Sequence, residues 1–198
     1  MTKKRISKTE INELPMRQYE GPIVLCRTPE EAAREAARLL KEETLLGFDT
    51  ETRPAFRRGE SYDPSLVQLA GANDVVLFQI SRCGPVPELL AILSAPNVVK
   101  AGVAIGRDVE ELRELAPFRP AGFVELADVA RRAGVENLGL RGMAALLFGF
   151  RISKKEQVSN WARKELTPSQ QRYAATDAWL GRKIYLRFRE EGRIPQPD

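Results

Sequence analysis

Histidine is absent from all 198 residues. That removes Ser-His-Asp triads, Cys-His pairs and His-ligated zinc. Acid–base or metal chemistry must therefore rest on carboxylates, Tyr, Lys or Cys. Cysteine is scarce as well: Cys26 and Cys83 are the only two, and their separation fits no zinc or redox motif. Both fall in expected strands and read as free buried thiols. No apolar run reaches the length of a membrane span. The basic start "MTKKRISK" is not followed by the apolar stretch of a signal peptide, so the expected compartment is the cytoplasm. There is no internal repeat and no low-complexity block.

What is present reads as a globular protein. Apolar residues make up 43% and charged residues 29%, proportions of a soluble domain, and the length suffices for one full-sized core. Residues 1–20 are polar and read as a flexible lead-in, leaving 21–198 as a single domain. The net charge is +4, with basic pairs at Arg57-Arg58, Arg131-Arg132, Lys154-Lys155 and Arg182-Lys183. Such a surplus favours a polyanionic partner; a solvated Arg-rich surface is the alternative.

The periodicities alternate. "GPIVLCR" reads as a strand, and "TPEEAAREAARLLKEE" as a helix with Thr28 as cap, Pro29 in its first turn and Glu31 closing a capping box. "TLLGFDTET" is a strand; "SLVQLAGANDVVLFQIS" is two strands joined at Gly71–Asp74. "PVPELLAILSA" is a helix, "NVVKAGVA" a strand, "GRDVEELREL" a helix, and "AGFVELADVARRAG" a short strand entering a helix. From residue 138 the pattern is helical, broken near "GFRISKKEQ". A hairpin-linked group of strands followed by strand–helix alternation indicates an α/β domain with a mixed sheet.

Four carboxylates stand out. Asp49 and Glu51, two apart on a strand, share one face, their Cα atoms roughly 6–7 Å apart. Like charges so placed repel and raise each other's pKa, and a divalent cation between them removes that cost; taken alone, the pair is more simply explained by a strand ending at the surface. Asp108 falls in the first turn of a helix, where the dipole favours an acid without any function. Asp177 is odder. In "QRYAATDAWLGRKIYLRF" it joins Tyr173, Leu180, Ile184 and Phe188 on one helical stripe. A carboxylate on a buried stripe is costly unless it is paired or holds a metal; a stripe edge reaching solvent is the alternative.

Taken in order, "GFDTET", "VVKAGVAIGRDVEEL" and "YAATDA" resemble the three motifs of the DEDD superfamily of 3′–5′ exonucleases. The tyrosine marks the branch that includes ribonuclease D and the Werner exonuclease domain. "LVQLA" and "SKKEQVSNWARKELTPSQQ" extend the resemblance across residues 21 to 190. It implies a ribonuclease H-like fold, a mixed central sheet flanked by helices. It further implies two divalent ions, Mg²⁺ or Mn²⁺, held by Asp49, Glu51, Asp108 and Asp177. Tyr173 would orient the attacking water, and nucleoside 5′-monophosphates would leave the 3′ end of RNA or DNA. An ordinary phenol pKa near 10 makes Tyr173 an orienter rather than a base.

Weaker candidates are Thr52, Phe56, Lys154 and Trp161 as substrate contacts, with Phe56 or Trp161 stacking on a base and Lys154 or Lys155 meeting phosphate. Asp128 is expected to support the structure, not to bind metal. Two other classes stay open. One is a nucleic-acid-binding module of the same fold without catalysis, and the other a structural domain whose acids are plain surface charges.

Overall fold

The computed structural model describes residues 4–57 and 59–194. The elements are α1 (Lys8–Glu13), β1 (Ile23–Cys26), α2 (Pro29–Glu42), β2 (Leu45–Thr52), β3 (Pro64–Ala70), β4 (Val75–Phe78), α3 (Ile80–Cys83), α4 (Pro87–Ser94), β5 (Val99–Gly102), α5 (Gly106–Leu115), β6 (Phe123–Glu125), α6 (Leu126–Arg132), α7 (Leu140–Phe148) and α8 (Pro168–Glu190). The six strands form one mixed sheet in the order β1-β4-β3-β2-β5-β6. Only β3 runs against its neighbours. The expected hairpin is β3–β4, closed by the Gly71 amide donating to the Asp74 carbonyl at 2.9 Å.

Strand alternation sorts the core into two faces. Leu46, Phe48, Val67, Leu69, Val76 and Phe78 point to the α2–α4 side. On the other side Leu66, Ala70, Val75 and Leu77 meet Ala174, Ala175 and Ala178 of α8. Helix α8 starts at a capping box between Thr167 and Gln170 and lies across the sheet face. Small residues let it come close. A Cβ on Gly47 would overlap the Ala178 carbonyl and the Arg182 amide, so β2 and α8 touch backbone to backbone. Gly47→Ala forces the two apart and is expected to cost about 2–3 kcal/mol, measured by urea unfolding. An unchanged midpoint would refute the close approach.

Two expectations are corrected. Residues 4–20 are not a free lead-in. Ser7 and Glu10 form a capping box for α1, and Ile6 and Ile11 are buried beside Ala145. The Asn137 amide exchanges hydrogen bonds with the Ile6 backbone at 2.8 and 3.0 Å. Met16 bridges to Arg151, and the Arg172 guanidinium donates to the Tyr19 carbonyl at 2.8 Å. A polar average concealed two isoleucines that have somewhere to go. Cys83, expected in a strand, ends α3; both cysteines are nonetheless buried and free. Among the described residues no helix is long and apolar enough to cross a membrane.

Candidate active site

The strand face that carries Leu45 and Gly47 also carries Asp49 and Glu51, and α8 covers it. Where α8 passes that end of β2 it presents Asp177. Carboxylate oxygens of Asp49, Glu51 and Asp177 all lie within 4.8 Å of one another. Asp177 is 8% exposed, and its Oδ1 is buried without a protein partner. Three carboxylates from two elements thus share one pocket, as the sequence pattern anticipates for the strand pair and the helical stripe.

Burial is the largest force on every acid here. It drives Asp49 well above the usual carboxylate range, and the charges of Asp177 and Asp108 add to it. Glu51 is pushed up to about 10 by burial, then by Asp49, Asp177 and Asp108. Asp177 is pushed up to about 7 by burial, its rise restrained by a hydrogen bond from Tyr173. The Tyr173 phenol is raised far above its ordinary value by burial and by Asp177 and Glu51. It therefore keeps its proton and acts as a donor. Asp49 and Glu51 therefore keep protons at neutral pH while Asp177 stands near its midpoint, and a divalent cation would offset the cost of ionising the group. The donor set is all oxygen, which suits Mg²⁺ or Mn²⁺.

Asp108 stands outside this tight group. It lies in the first turn of α5, where Thr50 donates to its Oδ1 at 2.6 Å. Thr50 alternates with Asp49 and Glu51, so Asp108 comes to the strand end from the other face. Glu125 positions the turn that precedes α5. Its carboxylate accepts the Ala104 amide at 3.0 Å, the Ile105 amide at 2.9 Å and the Ala127 amide at 2.9 Å. Ala104 is the one non-glycine residue with positive φ among those described, at 62°, a conformation that needs such external support. Asp128, expected to be the supporting acid of this segment, instead pairs with Arg131 on the surface. Glu125→Gln loses acceptor capacity toward three donors. It is expected to lower stability by about 2 kcal/mol and to weaken the apparent Mn²⁺ affinity about tenfold, read by Tm and Mn²⁺ titration. Unchanged affinity would confine Glu125 to a structural role.

The remaining candidates separate. Lys154 lines the same cleft as Asp49, Tyr173 and Asp177. Phe56 is 83% exposed in the loop after β2. Thr52 ends β2 just past an irregularity in the β2–β3 register. Lys155 is exposed, its amide bonded to Ser153 Oγ at 3.1 Å. Trp161 is fully buried and cannot stack on a base; it backs Tyr173 with ring centroids 6.0 Å apart. Gln68, directly across from Asp49 on β3, is also fully buried. The cleft measures about 630 Å³, and α1 and the residues leading into α7 form its outer walls. Sequence reading missed those walls, although Ser7-x-x-Glu10 was a readable helix start. Nothing in the sequence announced Glu125 or Thr50.

The 3′–5′ exonuclease family profile matches residues 26–193. The mouse bifunctional 3′–5′ exonuclease/ATP-dependent helicase WRN is 29% identical over 194 residues, covering 93% of this chain and 14% of that protein. Ribonuclease D of Gluconacetobacter diazotrophicus is 32% identical over 179 residues, 86% of this chain and 44% of the relative. The chain therefore spans less than half of these relatives. The crystal structure of the Aedes aegypti Nibbler EXO domain superposes with a TM-score of 0.77 at 23% identity, covering 89% of this chain and 91% of that one. The fold is ribonuclease H-like, as the sequence motifs imply.

Proposed function

The chain belongs to the 3′–5′ exonuclease family, and from that premise we propose that it removes nucleoside 5′-monophosphates from the 3′ end of single-stranded RNA or DNA with the help of divalent metal. The observation that carries the reading is the convergence of Asp49, Glu51 and Asp177 within 4.8 Å. The acids fit a cation because their mutual repulsion and burial are otherwise uncompensated. Asp49, Glu51 and Asp177, with Asp108 beside them, would hold two Mg²⁺ or Mn²⁺ ions, which when bound stabilise charge on the phosphoryl oxygens and acidify a water.

The protein supplies the rest. Tyr173 keeps its proton and donates toward Asp177, leaving its oxygen as a fixed acceptor for the attacking water's hydrogen. Trp161 holds the Tyr173 ring in place. Thr50 holds Asp108. Lys154 lies at the cleft wall, suited to a phosphate oxygen, and Phe56 offers a ring to the terminal base. The deciding assay follows strands carrying a 5′ label on a gel, with Mn²⁺ and with EDTA. Stepwise shortening from the 3′ end with Mn²⁺ alone is expected. No metal-dependent shortening of either RNA or DNA would leave a binding module of the same fold.

A further inference from the structure

Helix α1 contributes Lys8, Ile11 and Asn12 to the cleft that holds Asp49, Tyr173 and Asp177. It is a fixed wall. The chain around it is tied to the Asn137 side of the cleft by the Asn137–Ile6 pair. It is tied to the other side by Arg151, whose Nε donates to the Leu14 carbonyl at 3.0 Å and whose amide donates to the Pro15 carbonyl at 3.0 Å. The segment before β1 thus straps across the cleft.

Three cations meet along this opening from three parts of the chain: Lys8 on α1, Arg141 in the first turn of α7, and Lys154 after Ile152. Arg141 is oriented by α1 itself, because its Nη2 donates to Asn12 Oδ1 at 2.6 Å. Its Nε is buried and finds no protein acceptor. Ile11, Leu138, Leu140 and Ile152 supply apolar surface on the same walls. The charge pattern is ordered: acids on β2 and α8, cations on the outer walls, apolar groups with them. A strand whose scissile phosphate sits over the acids must carry its next phosphates outward past those cations, with its base faces against apolar side chains.

Resting on the exonuclease reading above, we infer that the α1 strap, with Lys8, Arg141 and Lys154, is a phosphate-binding rim that grips the strand upstream of the scissile bond. It makes the enzyme selective for strands of several nucleotides over a dinucleoside monophosphate, whose only phosphate is the one attacked. Lys8 is exposed, so Lys8→Glu leaves the fold intact, checked by Tm; Arg141→Gln tests the buried side of the same rim.

The experiment compares kcat/KM on a single-stranded octanucleotide and on a dinucleoside monophosphate, with Mn²⁺, at low and moderate salt. Each variant is expected to lose about tenfold on the octanucleotide, chiefly through KM, with a shallower salt dependence, and less than about twofold on the dinucleoside. Equal loss on both substrates, or no loss on either, overturns the rim. A wild-type protein that shortens neither substrate overturns the exonuclease reading. The rim is then judged by octanucleotide binding in EDTA, which Lys8→Glu must still weaken.

Discussion

Asp49→Asn is expected to reduce 3′-end shortening at least about a thousandfold and, in the absence of metal, to raise the melting temperature. The two effects have one cause. Asp49 sits among Asp177, Glu51 and Asp108, and burial plus the neighbouring charges hold its pKa far above the ordinary range. An amide of the same shape removes a charge that the metal-free fold can only accommodate by taking up protons. The gain should be about 1–2 kcal/mol, or roughly 2–8 °C for a chain of this size. The same amide is a poor ligand, so the site loses one of its three converging carboxylates. A variant that is both inactive and more stable marks a site whose strain is functional. Asp128→Asn is the control: Asp128 is a surface acid paired with Arg131 and should change neither quantity measurably. Full activity in Asp49→Asn, or a fall in its metal-free melting temperature, would remove Asp49 from the site.

The parts of this site that a sequence shows are the parts governed by a fixed repeat. A strand alternates with period two, so Asp49 and Glu51 had to share a face with Leu45 and Gly47. A helix repeats near 3.6, so Asp177 had to share a stripe with Leu180, Ile184 and Phe188. Capping boxes at Thr28 and Thr167 are local as well, and Thr28-x-x-Glu31 is legible in the sequence. The positioning groups are different in kind. Glu125 acts on amides about twenty residues away, and Thr50 reaches Asp108 over a separation of 58 residues. No local rule selects such pairs. Lys100 makes the same point in the core: it is fully buried on β5, with its ammonium donating to the Ala95 and Val98 carbonyls at 2.7 and 2.8 Å. Composition reads a lysine as surface. Trp161 erred in the opposite sense, because an aromatic near a motif suits both a base platform and a core, and only packing distinguishes them.

The metal-free protein is expected to lose stability between pH 5 and pH 8, and Mn²⁺ to restore more of it at the higher pH. In an unfolded chain Asp and Glu titrate near 3.9 and 4.3. In the fold Asp177 is held up at about 7 and Glu51 at about 10. Above the unfolded values the folded state therefore binds more protons than the unfolded one, and stability falls as pH rises. Asp177 completes its share as pH passes about 7; Glu51 continues beyond. Lys100 works the other way. Burial pushes its ammonium down to about 8, so above that value folding releases a proton and stability rises with pH. The window below pH 8 isolates the acids. A cation takes the place of those protons, so its affinity grows as they leave, and its stabilisation follows that affinity. Melting curves in EDTA and in excess Mn²⁺, taken across pH 5 to 8, should diverge steadily. Asp49→Asn should flatten the EDTA curve, because one member of the repelling group is gone. An EDTA curve that stays level or climbs through this window would mean that the fold does not hold protons on these acids by burial and mutual repulsion. The pocket would then have no electrostatic reason to hold a metal.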